Sequence, residues 1–203
     1  PRHADEMIAF LKLAADTGVD ACQLYSLDVG HGWKPGPTEL EAYFRTTLDA
    51  CPLPAILSSH AFMGYNIPID MLERLANDYD KLIGVNLTTP DYLHLTEALA
   101  RLTPRLEIHC GGPMNTLTVL ALGGNGFLSS EASLVPKLCQ SVITHWSEGR
   151  QEKAYEAYGT VMALMVALNG IPGATVRRLK VAMRLLGRGG SYPRGPDAAI
   201  GDN

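Results

Sequence analysis

The sequence predicts an α/β protein built on a parallel sheet, and three observations carry that expectation. Stretches of helical periodicity alternate with short apolar runs along the chain, the pattern of βαβ units. The apolar runs are continuous rather than interleaved with polar residues, as strands buried on both faces require. Glycine and proline fall mostly between the two kinds of segment.

In order, the first helical stretch runs from Asp5 to Asp16 and closes at Gly18. A strand is expected over Ala21 to Leu27, then a helix over Thr38 to Asp49. The next strand and helix are Ala55 to Ser58 and Ile69 to Asn77, followed by the strand Leu82 to Leu87. Thr89-Pro90 offers an N-cap hydroxyl and a proline at the first helical position, which starts a helix over Asp91 to Leu102. A strand over Leu106 to Cys110, a helix over Met114 to Leu122 and a strand over Gly126 to Ser129 complete the alternation. Ser133 and Pro136 make a second helix start, for Val135 to Glu148, and helices Gln151 to Leu168 and Ala174 to Leu186 follow. Gly18, Gly149 and Gly187 suit left-handed residues that end helices. The tail after Gly187 is irregular.

Composition excludes several functions. The chain is 46% hydrophobic and 19% charged, with a formal net charge of −4. No apolar run approaches the roughly 18 residues that span a bilayer, so no membrane association is expected. An acidic balance without a basic cluster argues against nucleic acid. Cys22, Cys51, Cys110 and Cys139 sit singly in apolar runs and read as buried reduced thiols of a cytoplasmic protein. No signal-peptide pattern is visible. Gly111-Gly112-Pro113 and Gly123-Gly124-Asn125-Gly126 form neither phosphate-binding spacing and read as turns.

The stretch Asp80-Lys81-Leu82-Ile83-Gly84-Val85-Asn86-Leu87-Thr88-Thr89-Pro90-Asp91 resembles the active-site strand of the dihydrodipicolinate synthase and N-acetylneuraminate lyase family. There the form is Val-Gly-Ile-Lys, and the lysine forms a Schiff base with pyruvate. Ala121 to Leu138 resembles the family's last barrel strand and the Pro-Lys-Leu opening the next helix. Trp33-Lys34-Pro35 with Thr38, Leu40 and Tyr43-Phe44 resembles the segment after its fourth strand, and Val176 to Gly187 its C-terminal helix. The similarity runs from about Asp5 to Pro196.

The resemblance implies a TIM (β/α)8 barrel, which needs eight strands in typically about 250 residues. Strands four to eight and the C-terminal helices are matched, with strands one to three missing. The chain is therefore expected to be an N-terminally incomplete copy, consistent with its lack of an initiating Met. It would divide into a partial barrel over 1–132, a helical region over 133–190 and a tail over 191–203. Two unpaired parallel edges would leave it poorly stable in isolation. The family's Gly-Thr-Thr-Gly-Glu loop, which grips the pyruvate carboxylate, is absent.

The sequence departs from the family where chemistry is concerned. Asn86 stands at the Schiff-base lysine, and an amide nitrogen is no nucleophile. Ser58 stands at the tyrosine of Leu-Tyr-Asn-Val-Pro, with Ser59-His60-Ala61 where Asn-Val-Pro would be. Phe62 or Met63 replaces an arginine. Tyr65-Asn66-Ile67-Pro68 copies the motif too late, just before a helix. Lys81 lies at the start of its strand on the face opposite the site, Lys34 in a loop, and Lys12, Lys137, Lys153 and Lys180 on helices, so none obviously replaces the lost amine.

Asn86, Ser58 and His60 are the candidate catalytic residues. Ser59, Thr88, His109, Ser130 and Glu131 are candidate substrate contacts, with Tyr25, Asp28 and His31 also near the expected mouth. His60, His31, Asp28, His109 and Glu131 are of metal-ligand type, but their spacing is not that of a metal site, and no metal or cofactor is expected. A histidine acting as general base suits neutral pH. The expected function is that of a lyase or aldolase-like enzyme on a small 2-oxo acid, without imine chemistry. The alternative is an inactive homologue that binds a metabolite or serves as a partner subunit. Family resemblance also implies a homo-oligomer, dimer or tetramer, for which Tyr155, Tyr158 and Met162 offer a helical surface.

Overall fold

The computed structural model describes residues 3–28, 33–190 and 192–195. Helix α1 (Ala4–Asp16) leads into β1 (Cys22–Tyr25), and α2 (Pro37–Ala50), β2 (Ala55–His60), α3 (Ile69–Asp78) and β3 (Leu82–Thr88) follow. Then come α4 (Tyr92–Leu102), β4 (Glu107–Gly111), α5 (Thr116–Ala121) and β5 (Gly126–Leu128). Helices α6 (Pro136–Ser147), α7 (Gln151–Asn169) and α8 (Thr175–Leu185) close the described chain. The strands form one sheet in the order β1-β2-β3-β4-β5, and the pairs β1–β2, β2–β3 and β3–β4 are parallel.

Strand order equals chain order, so every crossover steps the same way and the sheet is wound in one direction, as in a barrel. The burial of its two faces follows. Leu24, Leu57, Val85 and Ile108 are register partners, all without exposure, on the face covered by helices. Each such side chain contributes about 1.5–3 kcal/mol on removal from water. The other face carries Gln23, Tyr25, Glu107 and His109, which are half-buried or exposed. That face is open at β1 and β4; in β2 and β3 it is buried at Ser58, Gly84 and Asn86, so burial on both faces holds for those two strands.

Two compact units result. The first takes in residues up to Gly111 with Asn115–Phe127; the second takes in Gly112–Met114 and the chain from Leu128 onward. In the first, helices are tied by ion pairs: Arg45 to Asp78 at 2.7 Å, Arg74 to Glu41 at 2.7 Å, and Arg101 to Asp70 and Glu73 at 2.6 Å each. In the second, α6 turns into α7 at Gly149, whose φ of 73° suits glycine. Cys139 and Val142 of α6, and Ala154, Ala157, Val161 and Leu168 of α7, are buried at helical spacing. Arg188 donates to the carbonyls of Ser133 and Leu134 at 3.1 and 2.7 Å.

One helix start differs from the expected one. Asp91, not Thr89, caps α4, its carboxylate accepting from His94 N at 3.0 Å, because a carboxylate satisfies the helix's first amides better than a hydroxyl. Thr89 Oγ1 instead accepts from Asp91 N at 3.1 Å, two residues along its own turn. Pro136 does sit in the first turn of α6, with Val135 rather than Ser133 as the cap.

Candidate functional site

Tyr25, Ser58, Asn86 and His109 occupy one register row across β1, β2, β3 and β4. Paired residues of a parallel sheet share a face, with neighbouring strands about 4.8 Å apart. These four side chains therefore leave the less covered face side by side. Two residues further, His60 and Thr88 form the next pair on that face. Both rows lie toward the C-terminal ends of the strands, where barrel enzymes carry their chemistry.

Ser58 is 1% exposed and its hydroxyl has no hydrogen-bond partner among the described residues. Asn86 is 7% exposed, and its side-chain oxygen is likewise unpartnered. An orphaned buried oxygen costs roughly 1–3 kcal/mol, and here two stand on adjacent strands in register. The backbone around them is satisfied: the Ser58 carbonyl accepts from Ser26 Oγ at 2.6 Å. His60 has an unpartnered Nδ1, and burial pushes its pKa below the usual histidine value. Thr88 leans over Gly111, where an added Cβ would stand 1.7 Å from its Oγ1. His109 Nε2 lies 3.4 Å from a Glu107 carboxylate oxygen.

Ser59 is turned to the opposite face, fully buried, and its hydroxyl accepts from Ile67 N at 2.9 Å. The alternation of a strand separates it from Ser58 and His60. Ser130 and Glu131 belong to the second unit, in the 3-10 turn Ser130–Ser133 that follows β5. Glu131 is buried there, and one carboxylate oxygen accepts from Ser129 Oγ at 2.7 Å and from Ser130 Oγ at 3.4 Å. His31 lies outside the described residues.

Lys81, Lys34 and the buried phenols of the first unit make other contacts. Lys81 donates to the Leu48 and Cys51 carbonyls at 3.1 and 2.8 Å, at the C-terminal end of α2. The Lys34 ammonium stands 6.0 Å from the centre of the Tyr65 ring. Tyr65 donates to the Leu27 carbonyl at 2.7 Å, and burial pushes its pKa up to about 12. Tyr43 donates to the Tyr25 carbonyl at 2.7 Å, with burial raising its pKa further. The Tyr65-Asn66-Ile67 segment serves the fold: its hydroxyl and one backbone amide fasten it to Leu27, just beyond β1, and to β2. Asn66 joins it to Thr89 at 3.3 Å and keeps an unpartnered oxygen, a feature that the sequence reading passed over. Phe62 was noted only as a replacement, yet its ring meets the His60 ring edge to face at 5.5 Å.

Among the described residues no three His, Cys, Asp or Glu side chains come together as a metal site would require. The cysteines Cys22, Cys51, Cys110 and Cys139 are buried and form no disulfide among the described residues. No described helix is long and apolar enough to cross a membrane.

A parallel sheet wound one way, with unsatisfied polar groups toward the C-terminal ends of its strands, is the arrangement of a (β/α) barrel site. Residues 3–202 match the Dihydrodipicolinate synthetase family, and the chain belongs to it. It is 28% identical over 203 residues to 4-hydroxy-tetrahydrodipicolinate synthase of Methanosarcina mazei, covering 97% of this chain and 66% of that relative. The same enzyme of Methanococcus aeolicus is 25% identical over 187 residues, with 90% of this chain and 61% of the relative covered. The chain thus spans about two thirds of the length of such relatives.

Solved structures share the fold. A prophage protein of the dihydrodipicolinic acid synthase family from E. coli K12, in complex with pyruvate, superposes with a TM-score of 0.89 at 22% identity. It covers 99% of this chain, which spans 68% of that one. Dihydrodipicolinate synthase from Thermotoga maritima gives 0.89 at 18% identity, with the same coverage.

Proposed function

We propose that the protein acts on a small 2-oxo acid by non-covalent acid–base chemistry, as a lyase or aldolase-like member of its family without the Schiff-base step. The observation that carries this reading is the register pair of Ser58 and Asn86, each buried with an oxygen that lacks a partner. A bound keto acid would accept from the Ser58 hydroxyl, whereas the Asn86 oxygen, which only accepts, is open to the hydroxyl of the acid's enol or hydrate. The Ser58 hydroxyl and the Asn86 amide can donate to the keto oxygen and stabilise the negative charge that gathers there when a proton leaves the adjacent carbon. His60, kept neutral by burial, can accept that proton at Nδ1 in the tautomer that carries its hydrogen on Nε2. The resulting enolate either takes the proton back or forms or breaks a bond at that carbon, the step of an aldolase-like enzyme.

In this reading the five strands stand for strands four to eight of the barrel. Thr88 and His109 border the site. The protein works as a dimer or tetramer. Of the surface expected for assembly, Tyr158 already donates to the Met114 carbonyl at 2.8 Å, which leaves Tyr155 as the freer aromatic.

A second reading, a metabolite-binding homologue without catalysis, starts from the loss of the imine machinery. The two buried phenols, Tyr43 and Tyr65, are both committed to backbone carbonyls and have raised pKa values, so neither supplies the proton relay of the imine mechanism.

The test is borohydride reduction in the presence of pyruvate, read by intact mass, on the protein and on Asn86→Lys. No adduct on the unmodified protein, together with reversible pyruvate binding by calorimetry, is expected. A trapped adduct on the unmodified protein sinks the non-covalent reading. Loss of a proton from the methyl group of pyruvate into deuterated solvent, followed by NMR, separates catalysis from binding alone.

A further inference from the structure

The His60 end of the site carries a large exposed apolar side chain. Phe62 follows β2 in the 3-10 turn Ala61–Met63 and is 76% exposed. Its ring meets the His60 imidazole edge to face, with centroids 5.5 Å apart and planes at 61°. His60 shares a face with Ser58 and Asn86, so Phe62 adjoins that row through the His60 ring. An aromatic ring left in water beside buried polar groups is the composition of a ligand site, where apolar area binds and a few polar groups orient.

Positive charge is scarce around it. The four described arginines of the first unit, Arg45, Arg74, Arg101 and Arg105, are all ion-paired to carboxylates of the helical layer or its connections. Lys81 is bound to helix-end carbonyls, and the Lys34 ammonium is directed to the Tyr65 ring, 6.0 Å from its centre. A ligand group arriving over His60 and Phe62 therefore meets two rings, one of them an imidazole that burial keeps neutral, and no guanidinium.

We infer that Phe62, with His60, sets specificity by forming an apolar wall that receives an uncharged aliphatic or aromatic substituent of the oxo acid and disfavours a second carboxylate. This rests on the proposed binding of a 2-oxo acid at Ser58 and Asn86. An anionic group at that wall would lose its water without gaining a cation. An apolar group would be removed from water together with the Phe62 ring.

The experiment measures dissociation constants of pyruvate, phenylpyruvate and oxaloacetate by calorimetry on the full chain, on Phe62→Ala and on Phe62→Arg. Phenylpyruvate is expected to bind at least about tenfold more tightly than oxaloacetate, the low end of what apolar contacts discriminate. Phe62→Ala should collapse that ratio toward unity and Phe62→Arg should invert it. Because the variants alter an exposed turn residue, thermal melts checking that they remain folded accompany the titrations. Pyruvate binding with oxaloacetate bound as tightly as phenylpyruvate overturns the specificity assignment alone. So does a ratio unchanged in Phe62→Ala. Failure of all three acids to bind overturns both the assignment and the oxo-acid reading on which it rests.

Discussion

Ser58→Ala should make the ligand-free protein more stable, not less. Most buried substitutions destabilise, so the sign is diagnostic. The Ser58 hydroxyl is 1% exposed and has no partner, which costs the folded state roughly 1–3 kcal/mol relative to its hydration in the unfolded chain. Alanine removes that oxygen and leaves a small void, so the low end of the range is the reasonable expectation, a gain of about 1 kcal/mol. For a chain of this size that corresponds to a rise in melting temperature of about 2–4 °C. Urea denaturation of both proteins, with equal slopes, gives the difference directly.

Pyruvate should erase the advantage. At a concentration of about 100 times Kd the unmodified protein gains about 2.7 kcal/mol from binding. If the lost hydrogen bond weakens binding about tenfold, the variant gains only about 1.4 kcal/mol under the same conditions. The difference, about 1.3 kcal/mol, offsets the intrinsic gain and brings the two proteins level. A Ser58→Ala protein that is less stable by 1 kcal/mol or more without ligand would refute the reasoning, because the hydroxyl must then be making a stabilising bond within the fold.

Gly111→Ala should destabilise by about 1–3 kcal/mol through overpacking, since its Cβ would stand 1.7 Å from Thr88 Oγ1 and 2.7 Å from Thr88 Cβ; adding Thr88→Gly should recover part of the loss in the same denaturation assay. Lys81→Met should cost about 1–2 kcal/mol by withdrawing a cationic donor from the end of α2, while leaving pyruvate trapping as negative as before. Stability should also fall with pH around a histidine window. Burial lowers the pKa of His60 and His94 in the folded state below the unfolded value of 6.5. The unfolded chain therefore binds these protons first, and the stability they leave intact above pH 6.5 is lost as pH drops from there toward the folded values. Unfolding free energies at pH 7.5 and 5.5 should differ more for the unmodified protein than for His60→Gln/His94→Gln. Glu41 does not enter that window, because Arg74 and Arg45 hold its carboxyl below 4.5.

Much of the fold was legible because each element has a local cause. Continuous apolar runs gave the strands, glycines beyond apolar-periodic stretches gave helix ends, and Pro136 gave the start of α6. The cap of α4 was misplaced by two residues because Thr89-Pro90 and Asp91 are both acceptable starts, and only the amide geometry of His94 chooses between them. The site was less legible, for a reason tied to strand geometry. Ser58 and Ser59 are equivalent as letters, yet alternate residues face opposite ways, and nothing local says which serine shares a face with Asn86. Register carries that information, and it is fixed by packing between strands that lie far apart in the chain. Phe62 was legible only as one of two residues, with Met63, that could stand at the family's arginine position; its exposure and its contact with His60 depend on how the turn after β2 packs.

The residues that converge on one face of β2 and β3 have a common electrostatic character, and it bears on how any acid is held. Ser58, Asn86 and Thr88 are uncharged, and burial favours the neutral form of His60. An ammonium about 4 Å from a carboxylate is worth about 4 kcal/mol at an intermediate dielectric, whereas a neutral hydrogen bond contributes about 1 kcal/mol. A site that holds a carboxylate with dipoles alone should bind weakly and respond little to salt, because screening acts on charges and hardly on close hydrogen bonds. Pyruvate affinity measured at 20 and 500 mM salt should accordingly change by less than about twofold. A steep loss at high salt would place a cation at the carboxylate after all. Lys34 is the first residue to suspect, since its ammonium already stands over the Tyr65 ring. Lys34→Met would decide between the two, abolishing the salt dependence if that ammonium holds the acid and leaving affinity unchanged if the dipoles do.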